Sequence, residues 1–115
     1  MSRAITTGAF ISYQTGNEIM KVEIDGSSIR SGRDLHEFLS RTLDFGPYYG
    51  ANLSALWDRL STDVERPVEI VWKQSELSRQ VLGEDEFAKF RDLLLRVQAQ
   101  DESFGLADRL TVKFV

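Results

Sequence analysis

The stretch Met20-Lys21-Val22-Glu23-Ile24-Asp25 alternates apolar and polar side chains, and the polar break Gly26-Ser27-Ser28 follows it directly. Alternation with a period of two is typical of a β-strand that buries one face, and the break predicts a turn. Two later apolar stretches, 67–72 and 110–115, predict further strands. Pro67 would stand at the first position of its strand, where proline is tolerated.

Helices are predicted between these strands. Ser31 and Asn52 are good N-cap residues, and apolar side chains recur at helical spacing after each of them. Residues 75–82 then predict a short helix, and residues 84–98 predict a longer one with an apolar stripe. Strands that alternate with helices indicate an α/β fold with a three-stranded parallel sheet and packed helices. The apolar positions that carry the helix predictions are Leu35, Phe38, Leu39, Leu43, Leu53, Leu56, Trp57, Leu60, Phe87, Phe90, Leu94 and Val97.

The first 19 residues allow two interpretations. Residues 9–13 could form an extra N-terminal strand that turns at residues 15–17 and pairs with the strand at 19–24. They could equally belong to a partly disordered tail. We therefore divide the chain into an N-terminal extension, residues 1–19, and one globular domain, residues 20–115, a length that suits a single domain.

Composition excludes several classes of protein. The chain has no cysteine, which excludes a disulfide scaffold, cysteine-based zinc sites and a cysteine nucleophile. It has no apolar run long enough for a membrane span and no signal peptide pattern, so we expect a cytoplasmic protein. The formal net charge of −4 argues against direct nucleic-acid binding and favours a basic protein partner.

No catalytic constellation is apparent. His36 is the only histidine, and no nucleophile motif accompanies it, so we predict a surface or boundary residue and not a general base. The glycines at 46 and 50 lack the Gly-Lys-Ser/Thr ending of a phosphate loop. No group of histidine and acidic residues has metal-ligand spacing. We therefore expect no catalytic residue, no metal, no cofactor and no enzymatic activity.

Residues 48–60 carry the clearest functional signal. Tyr48 and Tyr49 stand on a short loop directly before a helix, on which Ser54 and Asp58 are four apart and share a face. Trp57 adjoins that face. Aromatic residues gathered with a carboxylate are typical of a recognition surface. The residues alone leave a second interpretation open, in which Trp57 and one of the tyrosines belong to the core.

The motif Tyr48-Tyr49-Gly50-x-Asn52-Leu53-x-Ala55-Leu56-Trp57-Asp58-x-Leu60 resembles the signature of the barstar family, bacterial inhibitors of the extracellular ribonuclease barnase. The resemblance extends to Ile29-Arg30-Ser31 and Asp34-Leu35-His36 before the motif, and to Trp72 and Gln74 after it. It covers residues 20–80 well and residues 81–115 loosely. It implies a barstar-like fold, with a three-stranded parallel sheet and packed helices.

The resemblance also implies a function. The protein would be an antitoxin or immunity protein that inhibits a bacterial ribonuclease toxin, as a monomer that forms a heterodimer. The residue at position 58 would enter a phosphate-binding pocket, where its carboxylate replaces a substrate phosphate. By position, the partner-binding residues are Tyr48, Tyr49, Gly50, Asn52, Ser54, Trp57 and Asp58.

Two departures from the family pattern bear on the target. Ser54 stands where the family has an acidic residue, and the candidates for a second acidic position, Leu95 and Arg96, are not acidic. Loss of such charges weakens association with a basic nuclease. We therefore expect the target to be a ribonuclease toxin other than barnase. The alternative is that the fold serves here as an interaction or regulatory module for a partner that is not a nuclease.

Overall fold

The computed structural model describes the backbone of residues 9–14 and 17–115, and side chains from Ile19 onward. A short 3-10 turn, Gly26–Ser28, follows the second strand, and a wider turn of π type, Arg59–Asp63, follows the second helix. The strands are β1 (Ala9–Gln14), β2 (Asn17–Asp25), β3 (Val68–Lys73) and β4 (Leu110–Phe114), and the helices are α1 (Gly32–Leu43), α2 (Leu53–Asp58), α3 (Ser75–Leu82) and α4 (Glu84–Ser103).

The strands form one sheet in the order β1-β2-β3-β4. β2, β3 and β4 are parallel, which confirms the predicted three-stranded parallel sheet. β1 pairs with β2 in antiparallel register, from Ala9 opposite Val22 to Gln14 opposite Asn17. This pairing confirms the interpretation of residues 9–13 as an extra strand. Thr15 and Gly16, at the predicted turn, lie outside the described residues, and the division of the chain at residue 19 stays a prediction.

The core lies between the parallel strands and the helices. Along β3 the side chains of Val68, Ile70 and Trp72 are buried, and the residues between them are more exposed, as the alternating pattern requires. Apolar stripes of α1, α2 and α4 cover these strands. The largest fully buried side chains are Trp72, Phe90, Ile24, Leu35, Leu39, Leu56, Leu60, Ile70, Leu94, Leu110, Val22 and Val68.

The predicted caps begin two of the helices. The Ser31 hydroxyl accepts a hydrogen bond from the Asp34 N–H at 3.2 Å, which starts α1. The Asn52 Oδ1 accepts from the Ala55 N–H at 2.8 Å, which starts α2. Both bonds satisfy an N–H group that a helix end would otherwise leave unpaired. The start of α2 is therefore set by Asn52.

The helix α4 is longer than the apolar pattern predicts, since it continues five residues beyond Gln98 to Ser103. Its last turns are held by polar contacts. The buried Asp101 carboxylate accepts from Arg66 Nε at 2.9 Å and from the Leu110 N–H at 2.8 Å. Burial acts to raise the pKa of Asp101, but these hydrogen bonds and the charges of Arg66 and Arg109 together outweigh burial and lower the pKa. The apolar pattern did not predict these last turns, because the inward-facing residue there is an acid.

Strand β4 forms one border of the sheet, and α4 also covers the backbone of that border. The Arg109 carbonyl accepts from the Val68 N–H, and the Val115 N–H donates to the Trp72 carbonyl, so the alternate residues Leu110 and Val112 direct their N–H groups away from β3. The Leu110 N–H donates to Asp101, and the Val112 N–H donates to Gln98 Oε1 at 2.8 Å. Side chains of α4 therefore accept hydrogen bonds from both of these outward N–H groups.

Candidate protein-binding surface

The loop between α1 and α2 is anchored at its beginning by Phe45. Asp44, the C-cap of α1, adopts the left-handed conformation, and the Phe45 N–H donates to the Ser40 carbonyl at 2.9 Å. The Phe45 side chain is buried in the core. The next residue, Gly46, has a φ of 86°, a conformation that glycine adopts without steric penalty. The chain thus leaves the core directly after Phe45.

A second anchor joins Tyr49 of this loop to His36 of α1. The Tyr49 hydroxyl and His36 Nδ1 are 2.6 Å apart, and the Tyr49 ring also packs on Phe45 at 4.9 Å between centroids. His36 is only 6% exposed and meets Phe90 edge-on. The prediction of a surface or boundary histidine was therefore wrong: the helix turns His36 inward, where Tyr49 supplies its polar partner.

Burial shifts the pKa values of both partners. It lowers the pKa of His36 below its ordinary value, against a smaller opposing effect of Glu86. It raises the pKa of Tyr49 to about 12, against a smaller opposing effect of Arg59. Near neutral pH the pair is therefore an uncharged imidazole and an uncharged phenol. A neutral hydrogen bond of this kind holds the loop without placing a charge in the core.

Tyr48 has the opposite environment. Its side chain is 90% exposed, and no hydrogen bond joins it to any of residues 19–115. The two adjacent tyrosines therefore have different roles: Tyr49 fixes the conformation of the loop, and Tyr48 presents an aromatic ring to solvent. The proposal from sequence that one tyrosine belongs to the core holds in part for Tyr49.

Helix α2 has one face in the core and one face in solvent. Leu56 and Leu60, the latter in the turn that follows the helix, are fully buried, and Ser54 and Asp58 are exposed. Trp57 lies at the boundary, half-buried against the core. Both interpretations of Trp57 thus hold in part, because its ring packs on the core and also reaches the surface.

Arg96 of α4 completes this face. Its guanidinium carbon lies 5.1 Å from the centroid of the Trp57 ring, within the range of a cation–π contact. We name the group Ser54, Trp57, Asp58 and Arg96 the α2 face. The prediction identified the first three of these residues as partner-binding, but it treated Arg96 only as a departure from the family pattern.

The Asp58 carboxylate is open to solvent. Within residues 19–115, no hydrogen bond or ion pair reaches its side chain. The adjacent cation does not neutralise it, since Arg59 Nη1 pairs with Asp63 Oδ2 at 3.1 Å. The Thr62 hydroxyl donates to the main-chain carbonyl of Asp58 and leaves the carboxylate free. Asp58 can therefore accept hydrogen bonds from a cationic group on another protein.

The remaining predicted residues shape the loop next to this face. Gly50 and Asn52 are exposed. Asn52 uses its Oδ1 to cap α2, and its Nδ2 donates to the Gly50 carbonyl at 3.4 Å. The structure thus places Tyr49 and Asn52 as residues that position the loop and the helix. Contact of any of the seven predicted residues with a partner stays a prediction.

Two classes of site find no support in the part of the chain that the structure describes. Those residues contain no group of three or more histidine, aspartate or glutamate side chains placed to hold a metal ion. None of the helices among them combines the length and the apolar character that crossing a membrane requires.

Comparison with known proteins agrees with this architecture. The family model described as "Barstar (barnase inhibitor)" matches residues 19–112 of the chain. A Bacillus subtilis (strain 168) protein with the name "Putative ribonuclease inhibitor YrdF" is 40% identical over 84 residues, which cover 71% of this chain and 87% of that protein. The matched region begins inside β2, ends inside β4 and contains every strand and helix between them, whereas β1 lies before it. The chain therefore belongs to the barstar family.

Proposed function

We propose that this protein is an antitoxin or immunity protein that inhibits a bacterial ribonuclease toxin in the cytoplasm of the cell that makes it. Membership of the barstar family and the similarity to a protein named as a ribonuclease inhibitor support this function. The single observation that carries the mechanism is the exposed Asp58 carboxylate, which no group of residues 19–115 neutralises.

The inhibition rests on phosphate mimicry. A ribonuclease binds the phosphates of RNA with cationic side chains, and a carboxylate offers such side chains the same charge sign and the same kind of hydrogen-bond acceptor. When Asp58 enters that pocket, the contact becomes a desolvated, charge-assisted pair at the centre of the interface. The net charge of −4 attracts a basic nuclease before contact.

Occlusion of the cleft rests on the aromatic residues and on the rigidity of α2. Tyr48 and Trp57 provide large contact area with few rotatable bonds, so little side-chain entropy is lost on binding. The Asn52 cap and the buried Leu56 hold the helix in place before the partner arrives. Such preorganisation reduces the free-energy cost of association. The protein then acts stoichiometrically and needs no cofactor or catalytic residue.

The test is a titration of RNA cleavage. A ribonuclease that this protein captures from an extract of its native host is mixed with increasing amounts of the protein, and cleavage of a fluorescent RNA is followed. We expect cleavage to stop at an equimolar ratio. Asp58→Ala leaves the cationic pocket without its partner, so we expect a loss of about 2–5 kcal/mol of binding free energy. This loss corresponds to a rise in Kd of roughly 30-fold or more.

Asp63→Ala is the matched control. Asp63 is also an exposed acid, in the turn that continues α2, but its carboxylate is already paired with Arg59. We expect it to inhibit like the unchanged protein. Unabated cleavage at excess inhibitor would contradict the proposal for that nuclease. Tight binding to a partner that cleaves no RNA would favour the alternative, an interaction module for a protein that is not a nuclease.

A further inference from the structure

Arg96 places on the α2 face a cation that has no carboxylate partner among residues 19–115. The side chain is exposed, and no carboxylate of residues 19–115 forms an ion pair with it. Asp92, one helical turn earlier on α4, pairs instead with its neighbour Arg91 at 3.0 Å. Arg96 therefore keeps its full charge at the surface, where another protein can meet it.

The Trp57 ring holds this cation in a defined place. The 5.1 Å distance between the guanidinium carbon and the ring centroid corresponds to a cation–π contact, which limits the conformations of the arginine. Asp58 is the next residue after Trp57, yet Arg96 and Asp58 form no ion pair with one another. The α2 face thus presents a negative and a positive charge that do not cancel.

These two charges make opposite demands on a partner. Asp58 fits a cationic pocket, whereas Arg96 would be forced against the same cationic surroundings if the partner carried no acid there. Like charges brought together at an interface oppose binding, and an unpaired charge that loses its water is costly. A repulsive element of this kind is a recognised means of rejecting the wrong partner.

We propose that Arg96 determines specificity, because it admits a ribonuclease with an acidic side chain at the rim of its RNA-binding cleft and rejects one whose rim is only cationic. This inference rests on the proposed function and names the chemistry of its partner. The guanidinium of Arg96 would donate two parallel hydrogen bonds to that carboxylate, for which its planar fork is suited. Asp58 would occupy the phosphate pocket at the same time.

The experiment measures Kd for two purified probes, barnase and the ribonuclease captured from the native host. The compared inhibitors are the unchanged protein, Arg96→Glu, Arg96→Lys and Lys89→Glu. We expect Arg96→Glu to bind barnase about tenfold more tightly or better, and to bind the captured ribonuclease about tenfold more weakly or worse. Both effects should shrink at high salt, because screening weakens exposed charges.

The controls separate charge from packing and from net charge. Arg96→Lys keeps the cation and should stay within about threefold of the unchanged protein on barnase. Lys89→Glu makes the same change of net charge on the same helix, about 10 Å away by helical rise, and should also have a small effect. Tryptophan fluorescence and circular dichroism confirm that each exposed substitution leaves the fold intact.

The outcomes are distinct. Opposite shifts for the two nucleases support Arg96 as the specificity residue. Shifts in the same direction, or no shift, overturn this inference, since the substitution would then act only through Trp57 or not at all. The proposed function is judged separately by the unchanged protein, and if that protein inhibits neither nuclease, the function and this inference are both overturned.

Discussion

Replacing Tyr49 by phenylalanine removes one hydroxyl and keeps the ring. The lost group lies 2.6 Å from His36 Nδ1, and the ring contact with Phe45 remains. A neutral hydrogen bond contributes about 1 kcal/mol, and an unsatisfied buried partner raises the cost of its loss to about 1–3 kcal/mol. Because His36 is buried but Tyr49 is half-buried, we expect a loss of about 2 kcal/mol of unfolding free energy. The corresponding fall in Tm is about 8 °C.

Urea unfolding, followed by tryptophan fluorescence, measures this change near neutral pH. Tyr48→Phe is the matched control, because it removes a hydroxyl one position earlier that bonds none of residues 19–115 and is open to water. We expect the control to stay within about 0.5 kcal/mol of the unchanged protein. Equal stabilities of the two variants would refute the argument that the Tyr49–His36 bond holds the loop.

The same pair predicts a pH dependence with a definite sign. Burial lowers the pKa of His36 below its ordinary value of 6.5, so the folded protein binds the proton less readily than the unfolded chain. Stability is therefore full above that value and falls as the pH drops below 6.5 towards the lowered pKa. His36→Asn should lose this part of the pH dependence. A stability that stays constant across the range in the unchanged protein would contradict it.

Two further substitutions test the core around the site. Asp101→Asn leaves the Arg66 guanidinium without its anionic partner, so we expect a loss of about 3 kcal/mol in urea unfolding. The pKa of Asp101 is lowered from 3.8, so its contribution to the unfolding free energy is present above pH 3.8 and is lost as the pH falls below that value. If Asp101→Asn has the same acid sensitivity as the unchanged protein, this assignment is contradicted. Leu56→Ala empties a fully buried position on α2 and should cost about 2–5 kcal/mol, whereas a loss below about 1 kcal/mol would show that α2 is not held by the core.

The predictable part of the fold is the part that local chemistry specifies. Ser31 and Asn52 predict helix starts because their side chains can accept hydrogen bonds from backbone N–H groups in the next turn, and both caps form. The alternation at residues 20–25 predicts a strand because it places the apolar side chains on one face, which must be buried. Parallel pairing then follows from the helices that separate the strands.

The parts that the sequence did not reveal depend on contacts between distant residues. His36 is polar, and only the fold places it beside Tyr49 and Phe90. Asp101 is buried because Arg66, 35 residues earlier, compensates its charge. Arg96 belongs to the site only through its position over Trp57. These contacts join different elements, so the spacing of residues within one helix or strand cannot predict them.

The outward N–H groups of Leu110 and Val112 are already engaged by Asp101 and Gln98. Another chain that sought to extend the sheet beyond β4 would first have to displace two side-chain acceptors from the longest helix. Unpaired strand borders are the usual starting points for aggregation. Under the proposed function the protein would have to accumulate until it equals its target in number, and these two occupied N–H groups would then remove one route by which a high concentration leads to aggregation.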